Sequence, residues 1–219
     1  MKENANRISF LKWRSLIPAV CLALQSSLAA EDLSESKDQP STADMNNFQL
    51  LISQDEIKEK IDDVAQIIDA EYEGEELTII MVMKGALCVT ADLIRSIKCP
   101  CTVEYVQASS YGKRGSQRGE LTIAGLDDLD LSAKNVLLVD DIFDSGETLT
   151  RIMAKLRDKN PKTLKSLVLL NKNVKRNVSY LPDYTLFEIE NQFVIGYGLD
   201  YKEHYRGLPG VFLFKTAPQ

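Results

Sequence analysis

Three aspartates follow a short apolar run in the middle of the 219-residue chain, in the stretch VLLVDDIFDSGETLT that begins at Val136. Asp140 and Asp141 are adjacent, and Asp144 comes three positions after the second of them. Carboxylates suit sugar hydroxyls and a hard cation, because such a cation prefers oxygen ligands. They repel a phosphate, so neighbouring groups of another kind must hold any phosphate that binds at this place.

The residues directly after the aspartates predict a phosphate-binding loop. Gly146 allows the backbone to come close to a ligand, and Ser145 and Thr148 supply hydroxyl groups. A helix that begins at Glu147 would add backbone N–H groups and the positive end of its dipole. A solvated turn with a helix cap would explain Asp-Ser-Gly alone. The combination with paired carboxylates and a buried strand favours an anion site.

The elements that must position these residues alternate along the chain. Ser53 and Glu56 have the spacing of a capping box, and apolar residues then recur at helical spacing until Gly74. Alternation of strand and helix with short connections predicts an α/β fold, in which a parallel sheet carries helices on both faces and binds ligands beyond its carboxyl ends. After the first helix, the predicted elements are strand Leu77–Met83, helix 86–97, strands 101–109, Leu121–Ala124 and Val136–Val139, helix Glu147–Lys159 and strand Leu164–Leu170.

Composition narrows the classes of function. The net charge of -6 argues against a general nucleic-acid binder or a protein of anionic membrane surfaces. The four cysteines are too few and too irregularly spaced for a disulfide framework, so buried or half-buried free thiols in a reducing compartment are expected. A metal at the Cys99-Pro100-Cys101 run is disfavoured, because the chain has a single histidine and no second cysteine pair. That histidine, His204, falls at no motif position, and we interpret it as a surface residue.

The first 44 residues differ from the rest of the chain. Basic residues precede the apolar stretch Leu16–Ala30, which ends in small residues and leads into a polar, acidic segment. This order is typical of a secretory signal peptide, and the apolar stretch is too short, and interrupted by Pro18, for a membrane span. Alternatively, translation starts at Met45 or the extension is a disordered tail. We therefore predict a signal-like or disordered extension over 1–44 and one domain over 45–219.

The run of aspartates and hydroxyls resembles the motif of type I phosphoribosyltransferases, which bind 5-phosphoribosyl 1-diphosphate. Three further segments are similar to those of the hypoxanthine (hypoxanthine-guanine) phosphoribosyltransferases: VMKGA, SSYGKRGSQRGE and the long segment that begins LLNKNVKRN. The resemblance extends from Phe48 to Phe214, with every expected motif in order. It implies a mainly parallel twisted sheet flanked by helices, with a small hood formed from the C-terminal segment.

The resemblance assigns the donor side of the site. Asp140 and Asp141 would hold the ribose hydroxyls and a magnesium ion, and Asp200 would complete a second magnesium site. In this family the acidic pair is often Glu-Asp, so the shorter Asp140 would reach its ligand through water. The residues implied for the 5′-phosphate are Asp144, Ser145, Gly146, Thr148 and the backbone N–H of Glu147; those implied for pyrophosphate are Arg206 and, with an unusual cis peptide, Lys84 and Gly85.

The resemblance also assigns the purine side and the reaction. Lys172 would donate to the 6-oxo group, Phe193 would stack on the ring, the backbone of Val194 would meet the opposite edge, and Asp144 would act as general base at N7. Ser110 and Tyr111 begin a mobile loop, 110–120, that would close over pyrophosphate. The implied reaction is purine salvage, a pentosyl transfer from the donor to hypoxanthine, and to guanine, that yields IMP or GMP and pyrophosphate.

Partners and location follow from the same resemblance. The family forms homodimers and homotetramers, and its donor and its product IMP belong to the cytoplasm, which favours a cytoplasmic enzyme over an exported one. A regulatory protein that keeps the donor site as a sensor and binds nucleic acid is the alternative. Such a protein should carry a basic face or an added helix-turn-helix, and the acidic composition argues against the first of these.

Overall fold

The central strand of the sheet carries the acidic run. In the computed structural model, which describes residues 47–110 and 121–214, this strand extends through Asp140 and Asp141 to Phe143, beyond the predicted end at Val139. The carboxylates therefore belong to the end of the strand and are fixed by its ladder. The strands are β1 Phe48–Ile52, β2 Leu77–Met83, β3 Cys101–Ser110, β4 Leu121–Ala124, β5 Asn135–Phe143, β6 Thr163–Lys172, β7 Tyr184–Ile189, β8 Val194–Ile195 and β9 Val211–Phe214; the helices are α1 Gln54–Glu71, α2 Leu87–Ser96 and α3 Glu147–Arg157.

The main sheet has the predicted α/β topology. Its strands lie in the order β4-β3-β2-β5-β6-β7, all parallel except β4, which runs antiparallel at the edge. The register pairs Asp140 with Val168 and Phe143 with Asn171. Because parallel strands end at one edge, the carboxyl ends of β2, β5 and β6 meet there. The residues after these strands are the ones to which the sequence assigns chemistry.

Helices cover both faces of the sheet, as predicted. On β2 and β5, Ile79 and Leu137 pack toward α1 and α2, whereas Ile80 and Leu138 pack toward α3. All four side chains are fully buried, which explains why the strands read as continuous apolar runs in the sequence. The two cores hold the central strands from both sides, so the strand ends that carry the site have little freedom to shift.

A second, three-stranded sheet forms the hood. β9 lies in its centre and pairs antiparallel with β1 and with β8. Phe48 pairs with Phe214, so the hood contains a strand from each end of the described chain rather than the C-terminal segment alone. The sequence prediction missed β1 because that strand is short and its apolar residues, FQLLI, show no clean alternation.

Further expectations concern the start of α1, the cysteines, membrane spans and residues 1–44. Ser53 and Glu56 form both bonds of the capping box at the start of α1. Cys88, Cys99 and Cys101 are free and half-buried, and burial raises the pKa of each thiol. Among the described residues, no helix is long and apolar enough to cross a membrane. The expectations for residues 1–44, and the domain boundary after them, lie outside the described residues.

Candidate functional site

Two adjacent carboxyl groups stand near the end of β5, of which Asp140 is buried and Asp141 is half-buried. Asp140 is 6% exposed, and its Oδ1 accepts the backbone N–H of Asp141 at 3.0 Å. Burial, and then repulsion from the neighbouring carboxylate, holds the pKa of Asp140 well above its ordinary value. Burial likewise raises the pKa of Asp141. Two desolvated like charges side by side destabilise the ligand-free protein. We therefore expect a ligand that neutralises them.

A cavity of about 310 Å³ opens in front of these carboxylates. Asp140, Asp141 and Thr148 line it from the β5 side, and Lys84 and Arg206 bring cations to it. Acidic and basic side chains thus line one opening, which suits a ligand with both hydroxyl and phosphate groups. Among the described residues, the lining is Val82, Met83, Lys84, Gly85, Ala108, Asp140, Asp141, Ile142, Thr148, Asp200 and Arg206.

Glycine backbone packs directly against the carboxylate of Asp141. A Cβ atom on Gly85 would lie 1.7 Å from Oδ2 of Asp141. A Cβ atom on Gly198, whose φ is +101°, would lie 2.0 Å from the carbonyl oxygen of Gly85. The three residues therefore form a column with no space for a side chain. The cis peptide that the family resemblance implied is present directly before this column, between Met83 and Lys84.

Glu203 holds both cations of the cavity. Its Oε2 lies 2.7 Å from Nζ of Lys84 and 3.5 Å from Nη2 of Arg206, and these cations lower the pKa of Glu203. Arg206 also donates from Nη1 to the carbonyl oxygen of Gly198 at 2.7 Å and pairs through Nη2 with Asp200 at 2.8 Å. Its Nε is buried and has no hydrogen-bond partner among the described residues. That orphaned donor fits an incoming anion.

Lys172 and Asp144 come together from different strand ends. Nζ of Lys172 lies 3.2 Å from Oδ2 of Asp144, and the lysine side chain is 11% exposed while the aspartate side chain is 54% exposed. Lys172 is the last residue of β6, and Asp144 directly follows β5. Since β5 and β6 are neighbours in the sheet, their pairing brings these two residues to adjacent strand ends. The pair presents one donor and one acceptor side by side.

Gly146 shapes the loop between β5 and α3. Its φ of +80° is left-handed, and an added Cβ atom would lie 2.5 Å from Cγ2 of Val178 and 2.8 Å from Cζ of Phe143. As N-cap of α3 it provides no side-chain cap, so the first turn of the helix keeps N–H groups for a ligand. The N–H of Glu147 donates to the hydroxyl of Ser145 at 3.4 Å. This geometry fits a phosphate.

Phe193 lies beside the hood and is 43% exposed. Its ring makes edge contacts with Tyr201 and Phe214, at centroid distances of 5.9 Å and 6.2 Å. The next residue, Val194, is buried and opens β8, which pairs with Leu213 of β9. The hood therefore fixes the ring that the sequence assigns to stacking, while part of that ring stays accessible.

The carboxylates do not form a complete metal site by themselves. Within the described part of the chain, no cluster of three or more His, Cys, Asp or Glu side chains is arranged to hold a metal ion. Asp200 is already paired with Arg206. Mg²⁺ commonly takes one or two carboxylates and fills its other positions with water and substrate phosphates. Asp140 and Asp141 fit Mg²⁺ in that mode, together with a polyphosphate ligand.

The structure brings most predicted site residues to one edge of the sheet, and His204 is exposed as expected. Ser110 ends β3, but its side chain, with Tyr111 and the rest of the predicted mobile loop, lies outside the described residues. Sequence reasoning missed Gly198 and Glu203, and also Arg176, whose guanidinium bonds to the backbone of Asp144 and Lys172. A left-handed hairpin at Lys202 and Glu203, with φ of 51° and 68°, gave no turn signal in the sequence because neither residue is Gly or Asn.

Comparisons with known proteins agree on one family. The model for the phosphoribosyl transferase domain matches residues 53–202. The hypoxanthine-guanine phosphoribosyltransferase of Aquifex aeolicus is 39% identical over 167 residues, which cover 76% of this chain and 94% of that protein. The hypoxanthine phosphoribosyltransferase of Salmonella typhimurium is 36% identical over 168 residues, 76% of this chain and 94% of that protein.

Solved structures give the same result. The crystal structure of a hypoxanthine-guanine phosphoribosyltransferase from Bacillus anthracis has a TM-score of 0.70 and 38% identity, and the match covers 75% of this chain and 97% of that one. The hypoxanthine phosphoribosyltransferase of Trypanosoma cruzi, solved in complex with the product IMP, has a TM-score of 0.69 and 34% identity, covering 75% of this chain and 92% of that one.

Replacement of Gly85 by alanine tests the glycine column. The new Cβ would lie 1.7 Å from Asp141, so the carboxylate must move and the cavity changes shape. We expect magnesium pyrophosphate, measured by calorimetry, to bind Gly85→Ala at least tenfold more weakly than wild type. Gly207→Ala is the matched control, because a Cβ there meets nothing within 4 Å. Equal affinities in the two variants would contradict the column's role.

Replacement of Asp140 by asparagine tests the cost of the carboxyl pair. Its folded-state pKa is raised, so the native state binds the proton more tightly than the unfolded chain and loses this stabilisation as the pH rises through that pKa. Asp140→Asn should therefore raise the free energy of unfolding of the ligand-free protein at pH 7.5 by about 1 kcal/mol, or roughly 2–4 °C. The gain should shrink toward pH 5.

Thermal unfolding at both pH values measures this effect. Asp128→Asn, at an exposed aspartate, serves as the control and should leave the midpoint unchanged. A lower midpoint for Asp140→Asn at pH 7.5 would show that the buried carboxylate stabilises the ligand-free fold and would refute the prediction.

Proposed function

Because the chain belongs to the phosphoribosyltransferase family, we propose that its site carries out purine salvage by pentosyl transfer. The enzyme is a hypoxanthine phosphoribosyltransferase: it transfers the 5-phosphoribosyl group of 5-phosphoribosyl 1-diphosphate to hypoxanthine and to guanine, giving IMP and GMP with release of pyrophosphate. The Aquifex aeolicus and Salmonella typhimurium relatives carry this activity in their names, and the match covers 94% of each.

The Lys172–Asp144 pair is the observation that carries the assignment of the base. A 6-oxopurine presents O6 and N7 next to each other on one edge. Lys172 donates to O6 and Asp144 accepts from N7–H, which requires a donor and an acceptor side by side, as in the observed 3.2 Å pair. Adenine would place an amino group against the lysine, and two donors cannot pair. The site therefore favours 6-oxopurines over 6-aminopurines.

The proton has a defined path in this assignment. N9 of the purine attacks C1′ of the donor, the bond from C1′ to the pyrophosphate oxygen breaks, and the purine loses its N7 proton to Asp144. Asp144 lies beside the phosphate loop and is partly exposed, so it can reach a base bound above the sugar. Removing the proton in this step prevents positive charge from building up on the base.

The donor is held from three directions. The amides after Gly146, with Ser145 and Thr148, bind the 5′-phosphate, and Asp140 and Asp141 bind the ribose hydroxyls. The orphaned Nε of Arg206 supports its role at the pyrophosphate, together with Lys84. Charge builds on the leaving group during the reaction, so fixed cations at that position lower the barrier. Phe193 covers the base.

Enzymes of this family use a divalent metal, and we propose Mg²⁺ beside Asp140 and Asp141, with Asp200 as a further ligand when Arg206 turns to the pyrophosphate. When bound, the ion would neutralise the charge that develops on the leaving pyrophosphate. The raised pKa values of the two carboxyls support a bound cation at this place.

The proposal also covers the location and the oligomeric state of the enzyme. Its donor and its product belong to the cytoplasm, so we place the domain of residues 45–219 there, as a homodimer or homotetramer. The family model matches residues 53–202, which lie within this domain.

An assay for IMP tests the function. Purified protein with Mg²⁺, 5-phosphoribosyl 1-diphosphate and hypoxanthine should form IMP, whereas adenine should give no AMP. Asp144→Asn should lower kcat by roughly 10²–10⁴ and leave the KM of the donor unchanged, because a general base has been removed. Asp128→Asn should match wild type. No turnover with any 6-oxopurine would refute the function.

Glu203→Gln tests whether the Glu203 carboxylate competes with pyrophosphate for Lys84 and Arg206. Removing its charge frees Lys84 and Arg206, so inorganic pyrophosphate should inhibit the variant at roughly two- to fivefold lower concentration, the range expected for an exposed ion pair. A damaged site would bind pyrophosphate more weakly, which distinguishes the two results. Glu190→Gln, at an exposed glutamate, is the control and should leave the inhibition constant unchanged.

A further inference from the structure

One guanidinium group connects the two loops that carry Asp144 and Lys172. Nε of Arg176 donates to the carbonyl oxygen of Asp144 at 2.6 Å, and Nη2 donates to that of Phe143 at 3.0 Å. The same Nη2 donates to Oδ1 of Asn171 at 2.8 Å and to the carbonyl oxygen of Lys172. Arg176 therefore bonds to the residues that end β5 and β6 and to the residue that follows β5.

Packing holds Arg176 in this position. Its guanidinium carbon lies 4.5 Å from the centre of the Phe143 ring, which is almost fully buried. Val178, two residues further along the chain, packs over Gly146. The segment that carries Arg176 and Val178 thus covers the phosphate loop. Stacking and hydrogen bonding together fix the orientation of the planar fork, which a lysine could not reproduce.

Arg176 makes these contacts through backbone oxygens and through Asn171. It binds the backbone of both Asp144 and Lys172, and the side chains of the same two residues meet at 3.2 Å. The spacing between a proton acceptor and a donor to the purine thus depends on one side chain. Because a displacement of about 1 Å at a reacting centre can cost on the order of 10²-fold in rate, the group that sets this spacing matters for turnover.

We propose that Arg176 is a positioning residue that sets the spacing of Asp144 and Lys172 for the N7 and O6 edge of the purine. The inference rests on the proposed function, since it concerns the same site. Arg176 acts through the ends of β5 and β6. Lys84 and Arg206, on the pyrophosphate side, are held by a separate network through Glu203 and Gly198.

Steady-state kinetics of Arg176→Lys and Arg176→Ala test the proposal. We expect kcat to fall roughly tenfold in the first variant and roughly 10²-fold in the second, with a higher KM for hypoxanthine and a donor KM within threefold of wild type. Guanidinium ion added to Arg176→Ala should restore part of kcat. Lys175→Ala, at the exposed neighbouring cation, is the control and should match wild type.

A double-mutant cycle separates positioning from general damage. If Arg176 acts on the proton transfer through Asp144, then adding Arg176→Lys to Asp144→Asn should change kcat less than threefold, while the KM for hypoxanthine still rises through Lys172. A purely structural role would make the two losses in kcat multiply. Multiplied losses, or an Arg176→Lys variant with wild-type kcat and KM, would overturn the inference.

The possible results separate the positioning role of Arg176 from the proposed function on which it rests. Wild-type protein that forms IMP while the Arg176 variants remain unchanged would refute the positioning role alone. Wild-type protein that forms no IMP would refute the proposed function and the inference with it. If Arg176→Ala does not fold, as judged by circular dichroism, the conservative Arg176→Lys decides the question.

Discussion

The direct contact of backbone with the Asp141 carboxylate constrains the whole site. Gly198 packs on the carbonyl of Gly85, and Gly85 packs on the carboxylate of Asp141, so elements from three distant parts of the sequence meet with no space for a side chain on either glycine. Arg206 continues the column through its bond to the Gly198 carbonyl. Any change in the packing distances within this column would move the end of β2 relative to the end of β5. Pyrophosphate-side and sugar-side groups therefore keep a fixed relation.

The charges around this column favour ligand binding and destabilise the ligand-free protein. Asp140 and Asp141 have raised pKa values, whereas Glu203 pairs with both cations and has a lowered pKa. Buried carboxyls that are unmatched by protein cations raise the energy of the ligand-free state. A ligand that brings a metal ion and a polyphosphate would compensate both sets at once. The strand cores, mainly apolar on both faces, offset this local cost.

Sequence reasoning identified the sheet, the helices and the acidic strand end, because buried parallel strands and capped helices have strong local patterns. It missed β7, at one edge of the main sheet. It also missed β1, β8 and β9, which are short and gain their stability from pairing across the hood. Within the site it found residues whose side chains suggest chemistry, such as Asp144 and Lys172. It missed Arg176, which acts on backbone carbonyls, since a bond to a carbonyl leaves no mark on the residue type of the acceptor.

The hood is the last part of the described fold that can form during synthesis. Its central strand, β9, is the last strand of the described chain, and it must pair with β1, the first. Contacts of such large sequence separation form late, whereas the parallel core from β2 to β7 can assemble beforehand. Phe193 rests against Phe214 of that last strand. A nascent chain would therefore carry the folded Asp140–Asp141 pair and the phosphate loop before the Phe193 ring has its support in the hood.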